Sequence, residues 1–510
     1  MSAPIVPHSD LETITIPRLQ TQMATGALTA QALVQRYLER IDALDRNGPT
    51  LRAIIEMNPD AEAIAAQLDR ERQTTGPRGP LHGIPVLLKD NIDTADRMHT
   101  TAGSLALVNR VARKDAFVAE KLRAAGAILL GKANMSEWAN FRSSHSSSGW
   151  SARGGQALNP HALDRTPCGS SSGSASAVAS ALCAAALGTE TDGSILCPAG
   201  ANGVVGLKPT VGSVSRAGVI PIAHSQDSVG PFGRSVADVA LVFGAITGSD
   251  PRDGATQTAK TQDDYTAFLD ADALKGARIG VARETFFGYS DKSDAVAEAA
   301  IEVIRRAGAE IVDPANIATA KAMQSSESEL TVLLYEFKAD LDAYLAAVEP
   351  EAEVHSLAEL IEFNKAHREE EMPYFGQEYL EQALAKGPLT EPEYLQALAQ
   401  NQRLARQEGI DAVMEEHSLD ALVMPTGSPA WRIDLIDGDH GLGGCSQPAA
   451  LAGYPAISVP AGYPFGLPVG ITFMGRAFSE PRLIALAYAF EQLAQAYRPP
   501  RYAVSSTAGI

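Results

Sequence analysis

The stretch CGSSSGSASAVASALCAAALGTETDGSILCPAG, residues 168–200, decides the fold and points to the chemistry. The part from Ser174 to Leu182 is rich in alanine and serine, which predicts a helix small enough to pack closely on a neighbour. The apolar run CAAALG then leads into the turn GTETDGS. Because this connection is too short to form an independent domain, we expect Ser170 and Ser194 to face one site.

A lysine stands at the end of another apolar run on the N-terminal side of this stretch. Ile84 to Leu88 has the length and composition of a short buried strand, and Lys89 follows it directly. A lysine acts as a base only when it is largely neutral, and burial among apolar residues favours the neutral form. The alternative is a surface lysine that pairs with Asp90 or Asp93. If Lys89 is buried, it can supply the base for a serine nucleophile that has no histidine partner.

Helix-like and strand-like segments alternate over most of the chain. Residues 29–45 have apolar residues at helical spacing, with Thr29 as a candidate N-cap. The segment DAFVAEKLRAAG predicts a helix, and AILLG, VVGLK, ARIGVA and ALVMP predict buried strands. This alternation favours an α/β fold with a mostly parallel sheet.

Residues 320–417 differ from the rest of the chain, because they are helical in pattern and rich in glutamate. We interpret them as a helical layer over the sheet, near the substrate entrance, within one domain that spans residues 1–510. Tyr374 and Phe375 are candidates for an apolar lining of that entrance, and the alternative is that they pack the helical layer. The charge runs in this segment are typical of solvated helix faces.

The composition excludes some classes of function. The chain has 42 Lys and Arg against 61 Asp and Glu, a formal net charge of −19, which disfavours binding to nucleic acids and to anionic membranes. The four cysteines show no zinc-ligand spacing and no disulfide framework, which fits a reducing compartment. The N-terminal residues MSAPIVPHSD lack the order of a signal peptide, and no segment has the length of a spanning helix. We therefore expect a cytoplasmic protein.

The turn GTETDGS has the residues that a serine hydrolase needs. Ser194 would be the attacking hydroxyl, and the backbone N–H groups of residues 191–194 would lie near enough to stabilise an oxyanion. Alone, the motif is more typical of a polar turn between strands. A different nucleophile, Ser171, fits the pattern G-x-S-x-G, but the polar segment NPHALDRTPC stands where that motif needs an apolar strand.

Taken together, these motifs resemble the amidase signature family. The resemblance runs from about residue 12 to about residue 497 and includes the segments GPLHGIPVLLKDNI, AGAILLGKANMSEWA, CGSSSGSASAVAS, GTETDGSI, PAGANGVVGLKPTVGSVSRAGVIP, DSVGPFGRSVADVA, LAGYPAISVPAG and LPVGITFMG. The serine-to-serine spacing, 24 residues from Ser170 to Ser194, also equals that of the family. The resemblance implies one large domain with a mixed, largely parallel sheet that is covered by helices on both faces.

The resemblance also implies roles for individual residues. The family's catalytic lysine falls on Lys89, its bridging serine after a cis peptide bond falls on Ser170, and its nucleophile falls on Ser194. The N–H groups of the oxyanion hole fall on Thr191, Asp192, Gly193 and Ser194. Three positions depart from the commonest pattern, because glycines are replaced at Cys168, Ser172 and Asp192. The segments TETDGSI, SEWANFRSS and GWSARGGQ are more similar to the peptide-amidase branch than to the A subunits of the amidotransferases.

We therefore expect a hydrolase without metal or cofactor that converts a peptide C-terminal amide or an amino-acid amide to the acid. The expected partner is the small-molecule or peptide amide itself, and the protein would be a monomer or homodimer. Three alternatives remain: a glutaminase-type A subunit of a tRNA-dependent amidotransferase, an aryl or aliphatic acylamidase, and a degenerate family member that only binds. The intact Lys89, Ser170 and Ser194 argue against the last of these.

Overall fold

Strands form where the sequence has its buried apolar runs. The computed structural model describes residues 9–506, so most of the N-terminal segment MSAPIVPHSD lies outside the described residues. The strands in the described part are β1 (Ile54–Met57), β2 (Pro85–Lys89), β3 (Ile128–Ala133), β4 (Trp150–Ser151), β5 (Gly155–Gln156), β6 (Ala185–Glu190), β7 (Val205–Lys208), β8 (Ser228–Gly233), β9 (Arg278–Val281), β10 (Glu310–Val312), β11 (Ala421–Pro425), β12 (Ala456–Gly462) and β13 (Val469–Met474).

Along the chain, the α-helices precede, separate and follow these strands. They are α1 (Ile16–Ala24), α2 (Ala30–Ile41), α3 (Ala61–Thr74), α4 (Phe117–Ala124), α5 (Ser172–Ala179), α6 (Leu196–Asn202), α7 (Val236–Ile246), α8 (Asp291–Arg306), α9 (Ala320–Gln324), α10 (Ser328–Ala346), α11 (Leu357–Ala366), α12 (Arg368–Glu371), α13 (Glu378–Leu384), α14 (Pro392–Gln402), α15 (Asp411–Glu416), α16 (Gln447–Ala452) and α17 (Glu480–Ala494). The predicted N-cap is confirmed, since the Thr29 side chain accepts a hydrogen bond from the backbone N–H of Ala32 in α2.

One mixed sheet runs through the molecule in the order β1-β3-β2-β6-β8-β7-β12-β13-β11-β9-β10. Its parallel pairs form two groups, β3-β2-β6 and β11-β9-β10, and the strands between them pair antiparallel. The α/β fold with a mixed sheet is therefore confirmed. Because β2 and β6 are parallel neighbours, their carboxyl ends lie at the same edge of the sheet.

Both faces of the sheet are covered. In β11, Val423 belongs to the large hydrophobic cluster that includes α7, α8 and α17, whereas the adjacent Leu422 belongs to a second cluster with α15 and α16. Successive side chains of a strand point to opposite faces, so the two clusters lie on opposite sides. The expected layers of helices are confirmed.

The segment 320–417 is helical, as its pattern predicts, and comprises α9 to α15. Its helices α10, α11 and α13 form a separate apolar cluster with Trp138 and Phe141. Of the helices within residues 9–506, none has both the length and the apolar content that crossing a bilayer requires.

Candidate active site

Lys89 ends β2 and reaches across to the loop that carries Ser170. The side chain is fully buried, and Nζ donates hydrogen bonds to Ser170 Oγ at 2.7 Å and to Thr189 Oγ1 at 2.8 Å. Thr189 lies near the end of the neighbouring strand β6, and its hydroxyl also accepts a hydrogen bond from Asn91 at 3.0 Å. Two parallel strands and one loop therefore fix the amine.

The surroundings of Lys89 favour its neutral form. Burial lowers the pKa of Lys89 to about 7, although the carboxylates of Asp227 and Glu190 oppose this shift. The alternative of a surface ion pair is wrong, because the two nearby aspartates have other partners. The Asp90 carboxylate accepts hydrogen bonds from the Thr101 hydroxyl and the Gly103 backbone N–H. Asp93 forms an ion pair with Arg110 at 2.9 Å. Lys89 is thus positioned to exchange a proton with Ser170.

The loop before α5 presents Ser170 in the interior. The peptide bond between Gly169 and Ser170 is cis, as the resemblance implies, and the Ser170 side chain is fully buried. The Ser170 carbonyl accepts a hydrogen bond from the backbone N–H of Ser136 at 3.1 Å. One residue later, the backbone N–H of Ser171 donates to the carbonyl of Ser194 at 3.2 Å. The loops that carry the two serines are therefore hydrogen-bonded to each other.

The turn after β6 leaves a set of backbone N–H groups without partners. Among the hydrogen bonds within residues 9–506, the N–H groups of Thr191, Asp192, Gly193 and Ser194 donate none. Gly193 has φ +78°, a conformation that favours glycine. Ser194 is 7% exposed, so the residue is largely buried and only a small part of it is accessible. Unpaired N–H groups in the same turn as a serine are what an oxyanion site requires.

Two carboxylates hold this turn in place. Glu190 Oε2 accepts hydrogen bonds from the N–H groups of Ile195 at 2.7 Å and Leu196 at 2.9 Å, at the start of α6. Asp227 accepts a hydrogen bond from the Thr191 hydroxyl at 2.5 Å. The sequence motifs do not single out Glu190, although an acidic residue shortly before a helix start is a recognisable signal.

Ser171 has a structural role in place of the nucleophilic role that its motif allows. Its hydroxyl is fully buried, donates to the Thr189 carbonyl at 3.1 Å and accepts from the Thr189 N–H at 3.2 Å. Residues 166–171 lie in a loop, whereas a nucleophile motif of the G-x-S-x-G type needs a strand there. Ser171 therefore ties the loop of Ser170 to β6.

The structure corrects the expectation for the cysteines. Cys168 and Cys197 form a disulfide, with Cα atoms 5.9 Å apart, while Cys183 and Cys445 are free and buried. No spacing in the sequence predicts this pair, because the two cysteines become neighbours only when the loops of Ser170 and Ser194 pack together. The bridge links the residue two before Ser170 to the residue three after Ser194. The cysteines therefore no longer favour a reducing compartment.

The helical segment borders a cavity beside the site. The cavity has a volume of about 330 Å³ and is lined by Thr191, by the apolar residues 217–222 and by Ala343 and Tyr344 of α10. Of the two predicted aromatic residues, Tyr374 is 45% exposed. Phe375 is buried and packs against the guanidinium of Arg142. Phe375 therefore follows the alternative interpretation, in which it packs inside the protein and does not line an entrance.

Known proteins are similar to this chain over nearly its whole length. The family pattern of the amidases matches residues 32–484. The chain is 52% identical to the native peptide amidase of Stenotrophomonas maltophilia, whose structure superimposes with a TM-score of 0.92 over 96% of this chain and 99% of that one. It is 43% identical to a probable amidase of Arabidopsis thaliana, over 96% of this chain and 92% of the relative. It is also 36% identical to the A subunit of the glutamyl-tRNA(Gln) amidotransferase of Chloroflexus aurantiacus, over 96% and 98% of the two chains.

Proposed function

The chain belongs to the amidase family and hydrolyses carboxylic amides, and from this premise we propose that its substrates are peptide C-terminal amides or amino-acid amides. The observation that carries the proposal is the buried contact between Lys89 and Ser170, in a loop whose Ser171 N–H is hydrogen-bonded to the carbonyl of Ser194. The similarity to a peptide amidase supports the choice of substrate class.

We propose that neutral Lys89 takes a proton from Ser170, while Ser170 takes the proton of Ser194. The Ser194 oxygen attacks the amide carbonyl, and a tetrahedral intermediate forms. The proton then returns through Ser170 to the nitrogen, the C–N bond breaks, and ammonia leaves. Water attacks the acyl-enzyme by the same route, which releases the acid and restores Ser194.

The negative oxygen of the intermediate would lie against the N–H groups of residues 191–194. These groups have no other acceptor among the described residues, so they are available when the charge develops. Each such hydrogen bond is worth about 10²–10³ in kcat in other hydrolases. In this scheme the catalytic residues are Lys89, Ser170 and Ser194, and neither a metal nor a cofactor takes part.

We also propose that the helical segment 320–417 forms one wall of the substrate entrance. The cavity between α10 and Thr191 supports this placement. A location in the cytoplasm, a monomeric or homodimeric state and the absence of nucleic-acid or membrane partners remain proposals as well. The net charge of −19 supports the last of these.

The test is ammonia release by the purified chain from a panel of aliphatic, aryl, amino-acid and peptide C-terminal amides. We expect turnover of a C-terminally amidated dipeptide, covalent labelling of Ser194 by a fluorophosphonate, and loss of both in Ser194→Ala. A matched Ser171→Ala variant should still be labelled at Ser194. Labelling at Ser171 in the wild type would refute the mechanism.

The amidotransferase alternative has its own distinguishing result. A chain that is inert on the whole panel but hydrolyses glutamine once a partner protein is added would belong to an amidotransferase. Preference for aryl or aliphatic amides over the peptide amide would assign the chain to the acylamidases.

A further inference from the structure

The disulfide bridge joins the two segments of the chain that carry the proposed catalytic serines. Cys168 lies two residues before Ser170, and Cys197 lies in the first turn of α6, three residues after Ser194. The Cα atoms of the two cysteines are 5.9 Å apart. The bridge therefore links the loop of Ser170 covalently to the helix that follows the turn of Ser194.

On the α6 side, the bridge acts on the peptide unit between Gly193 and Ser194. The backbone N–H of Cys197 donates a hydrogen bond to the Gly193 carbonyl at 2.8 Å. Because a peptide unit is planar, this hydrogen bond also fixes the direction of the Ser194 N–H. That N–H is one of the groups proposed to receive the oxyanion. The position of Cys197 thus determines where one oxyanion donor points.

On the other side, Cys168 has a backbone conformation that its residue type disfavours. Its φ is +56°, in the left-handed region that favours glycine, and it replaces a glycine of the family pattern. The Cys168 carbonyl accepts a hydrogen bond from the Ser172 hydroxyl at 2.6 Å, which connects it to the start of α5. A cysteine is costly at this position, and its bond to Cys197 is the contact that no other residue type supplies.

Hydrogen bonds hold the same two segments together without the bridge. The N–H of Ser171 donates to the Ser194 carbonyl at 3.2 Å. The buried side-chain amide of Asn202 donates to the carbonyls of Pro167 and Pro198, each at 2.8 Å. These bonds tolerate small displacements that a covalent link prevents. Opening the bridge should therefore loosen the geometry of the site and leave the fold in place.

One sulfur of the bridge is more accessible than the other. Cys168 is 5% exposed, whereas Cys197 is only partly buried. The two cysteines form a small apolar cluster with Ala201, Ala430 and the partly buried Trp431. Reduction of a disulfide depends on which sulfur an attacking thiolate can reach, so Cys197 is the point of attack.

We propose that the bridge between Cys168 and Cys197 is a redox switch, which keeps Ser170 and the oxyanion turn in place when oxidised and lowers kcat when reduced. The inference rests on the proposed function, because it assumes that Ser170 and Ser194 act together in catalysis. A misplaced turn slows acyl transfer, while substrate binding is largely unaffected.

The reductant that this switch requires is a dithiol. One thiolate of the dithiol attacks the Cys197 sulfur, the bond between the two cysteines breaks, and Cys168 leaves as a thiolate. The second thiol of the dithiol then displaces Cys197 from the mixed disulfide. Two electrons pass to the cysteines, each of which ends as a protonated thiol, and the dithiol becomes a cyclic disulfide.

The test measures ammonia release from the amidated dipeptide before and after the native protein is treated with dithiothreitol. We expect kcat to fall about 10- to 100-fold, with KM and the far-UV circular dichroism unchanged. Reoxidation should restore kcat. Tryptophan emission should rise on reduction, because a disulfide quenches the fluorescence of an indole that it contacts, here Trp431.

Variants of the cysteines provide matched controls. Cys197→Ala and the double variant Cys168→Gly/Cys197→Ala should lose kcat by the same factor, because the single change already breaks the bridge. Neither variant should respond to dithiothreitol. Cys183 is buried and free, so Cys183→Ala retains the bridge and should respond as the wild type does.

The outcomes separate a switch from a merely structural bridge. An unchanged kcat after reduction, verified as four thiols in denaturant, would overturn the inference. A far-UV signal that is lost in step with kcat, or a bridge that dithiothreitol does not open in the native protein, would overturn it too. If Cys197→Ala does not fold, the reversible reduction of the wild type decides. Fluorophosphonate labelling away from Ser194 in the oxidised protein would instead refute the proposed function.

Discussion

Replacing Lys89 with alanine removes the proposed base and leaves both serines in place. The ordinary pKa of lysine is 10.5, and burial lowers that of Lys89 to about 7. At pH 7 about half of such side chains are neutral, compared with about 0.03% at the ordinary value, so the fold raises the population of the base by about 1,600-fold. A positioned general base contributes about 10²–10⁴ in rate. We therefore expect kcat of Lys89→Ala to fall by about 10³.

The assay is ammonia release from a C-terminally amidated dipeptide between pH 5 and pH 9. Because the neutral amine is the active form, kcat/KM of the wild type should rise with pH and level off above about 7, where the lysine has lost its proton. In Lys89→Ala the remaining activity should lack this rise. Thermal unfolding of both proteins shows whether the variant is folded.

A second buried lysine provides the matched control. Lys132 is also fully buried with a lowered pKa caused by burial, but its amine donates to the Ile92 carbonyl and to the Thr100 hydroxyl. Lys132→Met should lower the melting temperature and keep the pH dependence of the wild type. A folded Lys89→Ala with near wild-type kcat, or a wild-type optimum near pH 5, would refute the role of Lys89.

Three further predictions concern the surroundings of the site. EDTA should leave the rate unchanged, and inactivation that zinc reverses would contradict the mechanism. In denaturant without reductant, a thiol reagent should modify two of the four cysteines, Cys183 and Cys445, and four after reduction; four reactive thiols before reduction would disprove the disulfide. Glu190→Gln should keep kcat within about twofold, since one side-chain oxygen accepts both N–H groups of α6, whereas Glu190→Ala should lower it about 10-fold. Equal rates in the two Glu190 variants would exclude this role.

The sequence predicts those parts of the molecule that depend on local patterns. The spacing of apolar residues predicts α2, with Thr29 as its cap, and the run before Lys89 predicts β2 and the burial of the lysine. The order of motifs predicts the family. The structure places Lys89 and Ser170 in contact, as the resemblance implies, although their catalytic roles remain predictions until the variants are measured.

Features that depend on contacts between distant segments are not visible in the sequence. The disulfide between Cys168 and Cys197 follows no motif, because the loops that bring the two sulfurs together are placed by the sheet. The sequence likewise places Glu329 only in an acidic helical segment, where glutamates are typical of solvated faces. Its hydrogen bonds with Gln226 and Gln447 follow from how α10 packs near the loop before β8 and the start of α16.

The parallel pairing of β2 and β6 explains why a lysine and a serine far apart in sequence share one site. The register pairs Leu88 with Leu187, so β6 continues past the end of β2, and Lys89 reaches the hydroxyl of Thr189. The chain leaves β6 at Glu190 and turns at once through residues 191–194 into α6, which Glu190 itself caps. A rigid strand thus fixes both the base and the turn that carries Ser194. Substitutions in the apolar parts of β2 or β6 should therefore impair catalysis through geometry, even where they contact no substrate.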